Sequence, residues 1–285
     1  MAPTPADTAV SFEVYPPKKP EGLAALHESL RALDTVNPDF ISVTFGAGGS
    51  STRDSLDVLK FIRDETAATP LAHLTCVGTT RAEVAELIHS FLHEGISHFL
   101  ALRGDLPKGT SEHHGELDHA SDLVELMVSL REETLGPDKV AVAAFPNGHP
   151  ESAARTRDIE TLLVKQDAGA TLAITQLFFY TKDYERFVTE ARAAGVTIPI
   201  LPGLMPILSP GRLNRVLELS GEARPTELSI ALESTDDPGD RERIGIGWTA
   251  QMIRELVDQG APGIHLYALN QHRTVLSVLE QAGVR

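Results

Sequence analysis

Residues 98–107 read HFLALRGDLP, an apolar run of strand length that stops at Arg103, Gly104 and Asp105. A buried strand closing on opposite charges across a glycine delivers ionisable groups at its C-terminal end. One such stretch is equally an ordinary strand ending in a solvated turn. Repetition alters that balance, because seven further apolar runs end near Glu13, Thr44, Thr75, Phe145, Gln176, Met205 and Tyr267. Carboxylates for proton transfer, a guanidinium for an anion and a set of neutral hydrogen-bonding groups are more than solubility requires. A binding protein without chemistry can use the same groups.

Other signals are weaker. Residues 45–51, FGAGGSS, lie between a strand pattern and a helix pattern, but Ser51 stands where a dinucleotide fingerprint has its third glycine. Plain turn geometry and contact with an anionic ligand remain equal readings. Residues 111–119, SEHHGELDH, carry His113, His114 and His119 at a spacing that fits no zinc pattern, so a polar surface loop is expected and no metal. The lone Cys76 excludes an internal disulfide and reads as a small core residue. Neither a G-x-S-x-G elbow nor a Walker A loop is present. Lys165 falls inside a helix pattern, which favours a solvated or phosphate-pairing amine over a Schiff-base lysine.

The elements that must position these groups alternate. Apolar, β-branched-rich runs occupy residues 9–15, 39–44, 71–76, 98–103, 139–145, 172–179, 197–205 and 263–269. Amphipathic patterns occupy 22–33, 52–65, 80–94, 121–132, 151–167, 182–194 and 241–259, the third opening on a capping box of Thr80 and Glu83. Residues 206–262 hold at least two helical patterns and an acidic stretch, 233–242, read as a solvated excursion or a lid. Eight strands alternating with helices predict a single-domain α/β (β/α)8 TIM barrel over residues 1–285, with an open doubly wound sheet as the alternative. In the barrel all eight strand ends converge on one face.

The formal net charge of −15 argues against nucleic acid or an anionic membrane as partner. The N-terminus lacks a signal-like pattern and no stretch reaches membrane-spanning length, so a cytoplasmic protein is expected. A homo-oligomer is compatible with the sequence.

Taken together, SFEVYPPK around Glu13, SVTFGAGGSSTR from Ser42, HLTC from His73, ALRGDLP from Ala101, AFPNGHPES from Ala144, KQDAGATLAITQLFF from Lys165, PGLMPI from Pro202 and HLYALN from His265 resemble the methylenetetrahydrofolate reductases. The resemblance runs in register from about residue 10 to residue 270. It implies a barrel that reduces 5,10-methylenetetrahydrofolate to 5-methyltetrahydrofolate with hydride from NADH or NADPH, NADH being favoured, and without the regulatory domain that eukaryotic members append. Glu13 matches the family's catalytic glutamate, the acid that opens the imidazolidine ring at N10, and its pKa must then be raised. Asp105 and Gln176 would hold the pterin and Tyr267 would pack on substrate. Thr44, His73, Arg103, Gly104, Asp105, Ala120, His149, Asp158 and Lys165 match positions that contact FAD in flavin-using members.

Some positions depart from the family. Phe145, Thr161 and Val164 stand where tyrosine, asparagine and arginine are usual, so FAD is doubtful and direct transfer from NAD(P)H in a ternary complex is expected. On the substrate side Arg212, Val216 and Gln271 replace a usual glutamine, phenylalanine and arginine. Arg212, or Arg273 just beyond Gln271, is then expected to meet the glutamate tail of folate. The open alternatives are the same reaction through bound FAD, a non-catalytic folate or nucleotide barrel, and an unrelated lysine aldolase.

Overall fold

The computed structural model describes residues 8–45, 52–105, 115–132, 136–150, 152 and 155–284. Its strands are β1 Val10–Val14, β2 Phe40–Val43, β3 Thr69–Thr75, β4 His98–Leu102, β5 Lys139–Ala144, β6 Leu172–Thr175, β7 Ile200–Leu201, β8 Gly203–Leu204 and β9 Ile264–Tyr267. All described pairings are parallel and the order is β7-β6-β5-β4-β3-β2-β1-β9-β8. β7 and β8 are consecutive in the chain, joined through Pro202, which has no N–H to give to a ladder. β7 pairs with β6 and β8 with β9, so this one interrupted strand closes the ring. The expected eight-stranded barrel is therefore present, with its seventh strand in two pieces.

Successive side chains on a strand face opposite ways. Phe12, Ile41 and Leu74 turn outward and pack with Leu30, Leu59, Ile62 and Phe91 in the main core between strands and helices. Phe40, Leu71, Leu100, Ala141, Ile174 and Leu201 form a separate apolar cluster that fills the barrel's floor. Above that floor the same alternation brings Ser11, Glu13, Ser42, His73, His265 and Tyr267 to the interior.

The outer layer holds α1 Leu23–Asp34, α2 Thr52–Glu65, α3 Arg81–His93, α4 Ala120–Ser129, α5 Arg155–Asp167, α6 Thr181–Ala194, α7 Pro210–Ser220, α8 Thr226–Glu233, α9 Pro238–Asp258 and α10 His272–Ala282. The Thr80 capping box forms as read, its side chain accepting from Glu83 N and the Glu83 carboxylate from Thr80 N. The acidic stretch 233–242 is mostly exposed and joins the end of α8 to the start of α9, which Asp237 caps by accepting from Asp240 N. A Cβ on Gly245 would lie 2.1 Å from Ile207 O, so glycine there lets α9 approach the loop after β8. Among the described residues no helix is long and apolar enough to cross a membrane.

Candidate active site

Glu13 sits near the C-terminal end of β1 with its side chain 18% exposed. Its Oε2 lies 3.5 Å from Nε2 of His73 on β3 and 3.9 Å from Nε2 of His265 on β9. Neither imidazole nitrogen has a hydrogen-bond partner, although both are buried. Buried polar atoms are nearly always paired, so two orphans aimed at one carboxylate mark a site rather than a core. His265 is fully buried and stands in register with Ser11 on the neighbouring strand. Its Nδ1 is 2.8 Å from Ser11 Oγ, and its ring stacks on Phe40 and meets Tyr267 edge-on.

Burial pushes the Glu13 carboxyl up, but His265 and His73 together outweigh it and hold the pKa below the usual glutamate value. The raised pKa expected from the sequence is thus corrected. Burial also lowers the pKa of His73, against the pull of the Glu13 charge. Tyr267 is held well above the normal phenol range by burial and by the Glu13 charge. Its hydroxyl donates to Thr175 O at 2.7 Å.

Two features lock this corner. Asn270, in the left-handed region with Leu269 before it, accepts from Tyr15 N at 3.1 Å and donates to Tyr15 O at 2.9 Å. With Ala268 N donating to Glu13 O, it clamps the end of β1 to the end of β9. Gly203 has room for no Cβ, which would meet Thr175 O at 2.3 Å and the Tyr267 ring at 2.8 Å.

Beside Tyr267 a cavity of about 200 Å³ opens between the ends of β8 and β9, lined by Met205, Ser209, Arg212, Leu269, Gln271 and Thr274 among others. Arg212 is half-buried in the first turn of α7, which Ser209 caps. Val216 is buried in a cluster with Leu177, Phe179 and Leu213 and does not line this cavity.

A second group assembles where β5 meets α5. Lys165 Nζ donates to Ala143 O at 2.9 Å and lies 6.0 Å from the centre of the Phe145 ring. Burial lowers its pKa to about 8, with the Asp158 charge opposing. Lys165 is therefore a buried amine, and the solvated reading from sequence is corrected. Asp158 Oδ1 accepts from His149 N at 3.2 Å and Ser152 Oγ at 2.7 Å, while its buried Oδ2 has no partner. Val164, one residue earlier, is 55% exposed, and Thr161 Oγ1 donates to Arg157 O within the helix. Phe145 offers a ring and no hydroxyl. Among the described residues this group presents one buried lysine to a diphosphate, a poor fit for a tightly held flavin.

The other expected positions lie just beyond strand ends or at a helix start. Thr44 Oγ1 is buried with no partner. Arg103 Nε donates to Gly104 O at 3.2 Å, and Gly104 is glycine by necessity, with φ of 91° and a Cβ position 2.8 Å from Val77. Ala120 is buried at the start of α4. Gln176 Oε1 accepts from Leu177 N at 2.9 Å, which aims its amide along the loop after β6. Asp105 is exposed, and no described contact joins it to Glu13. The 45–51 turn lies outside the described residues beyond Phe45. So do His113 and His114; among the described residues no group of three His, Cys, Asp or Glu side chains could hold a metal ion. Cys76 is buried and its thiol is pushed up to about 11, chiefly by burial, which leaves it inert. Sequence reasoning missed His265, Ser11 and Asn270. The signal for His265 was its place two residues before Tyr267, on the same strand face.

The sequence model of the methylenetetrahydrofolate reductase family matches residues 2–283. A 5,10-methylenetetrahydrofolate reductase of Salmonella typhimurium is 32% identical over 277 residues, 97% of this chain and 91% of that protein. A probable methylenetetrahydrofolate reductase (NADH) of rice is 32% identical over 97% of this chain, which spans about half (48%) of the plant protein. Among solved structures, a Clostridium thermocellum protein described as binding two copies of 5-methyl-5,6,7,8-tetrahydrofolic acid superposes with a TM-score of 0.67 at 14% identity, over 96% of this chain and 94% of that one. At that identity the likeness shows the barrel fold alone.

Proposed function

The chain belongs to the methylenetetrahydrofolate reductase family, and from that premise we propose that it reduces 5,10-methylenetetrahydrofolate by direct hydride transfer from NADH in a ternary complex. The observation that carries the acid assignment is Glu13 at the barrel mouth, facing two unpartnered imidazole nitrogens. Substrate covering the mouth strips water from this carboxyl and raises its pKa from the low value of the open barrel, generating the acid where it is used. The Glu13 proton goes to N10 as the bond between N10 and the methylene carbon breaks. The electrons of that bond stay on N10, and the N5 lone pair forms the iminium. Hydride from the dihydronicotinamide then adds to the methylene carbon, giving the 5-methyl group and NAD⁺. The Glu13 carboxylate left behind stabilises the cation before hydride arrives.

Both substrates must occupy the mouth together, with the transferring carbons within about 3.5 Å. The cavity beside Tyr267 suits the folate side. Gln176 and Asp105 take the pterin, Tyr267 packs on it, and Arg212 takes the glutamate tail. An Arg212→Ala variant is expected to lose at least tenfold in affinity for polyglutamylated folate, and unchanged binding would remove Arg212 from this role. The β5–α5 group suits the dinucleotide, with Lys165 regaining its charge beside a diphosphate and Asp158 Oδ2 free to accept a ribose hydroxyl. Thr44, Arg103, Gly104, Ala120 and His149 complete that side; His73 faces Glu13 and serves the acid. NADH is favoured, although relatives are named for either nicotinamide donor, NADPH in the Caenorhabditis elegans protein.

Steady-state NADH oxidation with no flavin added, over a full matrix of both substrates, tests the reading. Intersecting double-reciprocal lines are expected for a ternary complex. Parallel lines would mean that hydride passes through a bound flavin.

A further inference from the structure

Ser11 and His265 are buried, lie on adjacent strands in register, and take no part in the proton and hydride steps proposed for the reaction. A fully buried imidazole is costly unless its nitrogens are satisfied, and here only one is. Nδ1 reaches Ser11 Oγ at 2.8 Å, while Nε2 faces Glu13 at 3.9 Å without a bond. The Ser11 hydroxyl has two uses within reach, because it also lies 3.4 Å from Ile264 O. When it donates to Ile264 O it accepts Nδ1–H, and the bare Nε2 then accepts from a protonated Glu13. When it donates to Nδ1, the ring carries its proton on Nε2 and donates to the Glu13 carboxylate. Neutral imidazole has one donor and one acceptor, and which is which follows from the partner of the far nitrogen.

We propose that Ser11 and His265 are positioning residues that present either a donor or an acceptor to Glu13 and so stabilise both of its protonation states within one catalytic cycle. The inference rests on Glu13 being the acid of the reductase reaction. The tautomer is set before substrate closes the mouth, so no proton crosses the ring during ring opening. The other ionisable groups facing Glu13 do not supply this choice. Tyr267 on β9 has its hydroxyl committed to Thr175 O, and no described hydrogen bond on the His73 side provides a two-way partner such as Ser11.

The test is the pH dependence of kcat and of KM for methylenetetrahydrofolate in Ser11→Ala and Ser11→Thr. Without the hydroxyl, a proton on Nδ1 would be buried unpaired, so the ring keeps it on Nε2 and favours the Glu13 carboxylate. The basic limb of kcat in Ser11→Ala is therefore expected to move about one pH unit lower, with KM changed less than twofold, and Ser11→Thr is expected to restore it. A lower kcat with an unmoved limb, or a threonine variant that behaves like alanine, would overturn the proposal. Nitrogen-15 spectra of histidine-labelled protein give a readout independent of turnover and of how the Ser11 variants fold. The His265 signals, identified by their loss in His265→Gln, are expected to change tautomer across the Glu13 titration and to stop doing so in Glu13→Ala. One tautomer at every pH would overturn the proposal. A tautomer change in a protein with no reductase activity would instead count against the reaction assigned above.

Discussion

At the scale of single residues, burial acts in opposite directions on Glu13, the proposed acid, and on the buried amine of Lys165. Glu13→Gln keeps the shape of the side chain and removes the transferable proton. Turnover is expected to fall by about 10²–10⁴-fold, as for loss of a positioned acid, while the protein folds normally; normal turnover measured by NADH oxidation would exclude Glu13 from the role. Lys165 shows itself in stability. Its folded pKa of about 8 lies below the ordinary lysine value of 10.5, so between these values the unfolded chain binds more protons than the native one. Wild-type stability should then rise relative to Lys165→Met as pH climbs from about 8 to 10.5, by ~3 kcal/mol at most. Urea midpoints of the two proteins at pH 7.5 and 10.5 measure this, and a constant gap would mean that the amine is not buried in solution. Glu13 was legible in the sequence as a carboxylate at the end of an apolar strand, its role as acid only through the family resemblance. Lys165 was misread, because helical spacing says nothing of how deeply a helix packs against its strand.

At the scale of elements, the sequence carried the alternation of strands and helices and lost the interruptions. The run 197–205 was read as one strand, and Pro202 divides it; the run 172–179 was read as a strand throughout, yet β6 stops at Thr175 and Leu177 and Phe179 join the cluster under α7 and α8. The helix α10 follows β9, the last of those strands. Its approach holds the clamp that fixes Glu13: Leu269 and Asn270 turn left-handed, and the Asn270 amide bridges Tyr15 N and O. Asparagine tolerates this backbone far better than alanine does. Asn270→Ala removes both bonds and adds strain, so a loss of about 2–3 kcal/mol is expected in chemical denaturation. Because the clamp joins β1 to β9, kcat should fall more than KM rises. A stability loss with unaltered kcat would show that the two strands hold the acid without it.

At the scale of the whole molecule, charge and fold pull against each other. A chain with net charge −15 repels a diphosphate at long range, so a dinucleotide must be met by local cations at the mouth, and the described group at β5 and α5 supplies Lys165 alone. With Arg103 the only other cation assigned to that side, such sparse contacts suit a substrate that binds and leaves each cycle, whereas a resident flavin needs tighter holding. Val164 makes the distinction testable, because at 55% exposure on α5 it can be replaced with little effect on folding, within about 0.5 kcal/mol. Val164→Arg, combined with Phe145→Tyr and Thr161→Asn, places a second cation and two polar groups beside Lys165. FAD affinity, read by quenching of flavin fluorescence on titration, is expected to rise at least tenfold over wild type. The same substitutions should inhibit NADH oxidation when FAD is added, since the flavin then competes for the dinucleotide's place. Wild-type protein that purifies with one FAD per chain would overturn this account, and would mean that the barrel holds the diphosphate through groups other than these three positions.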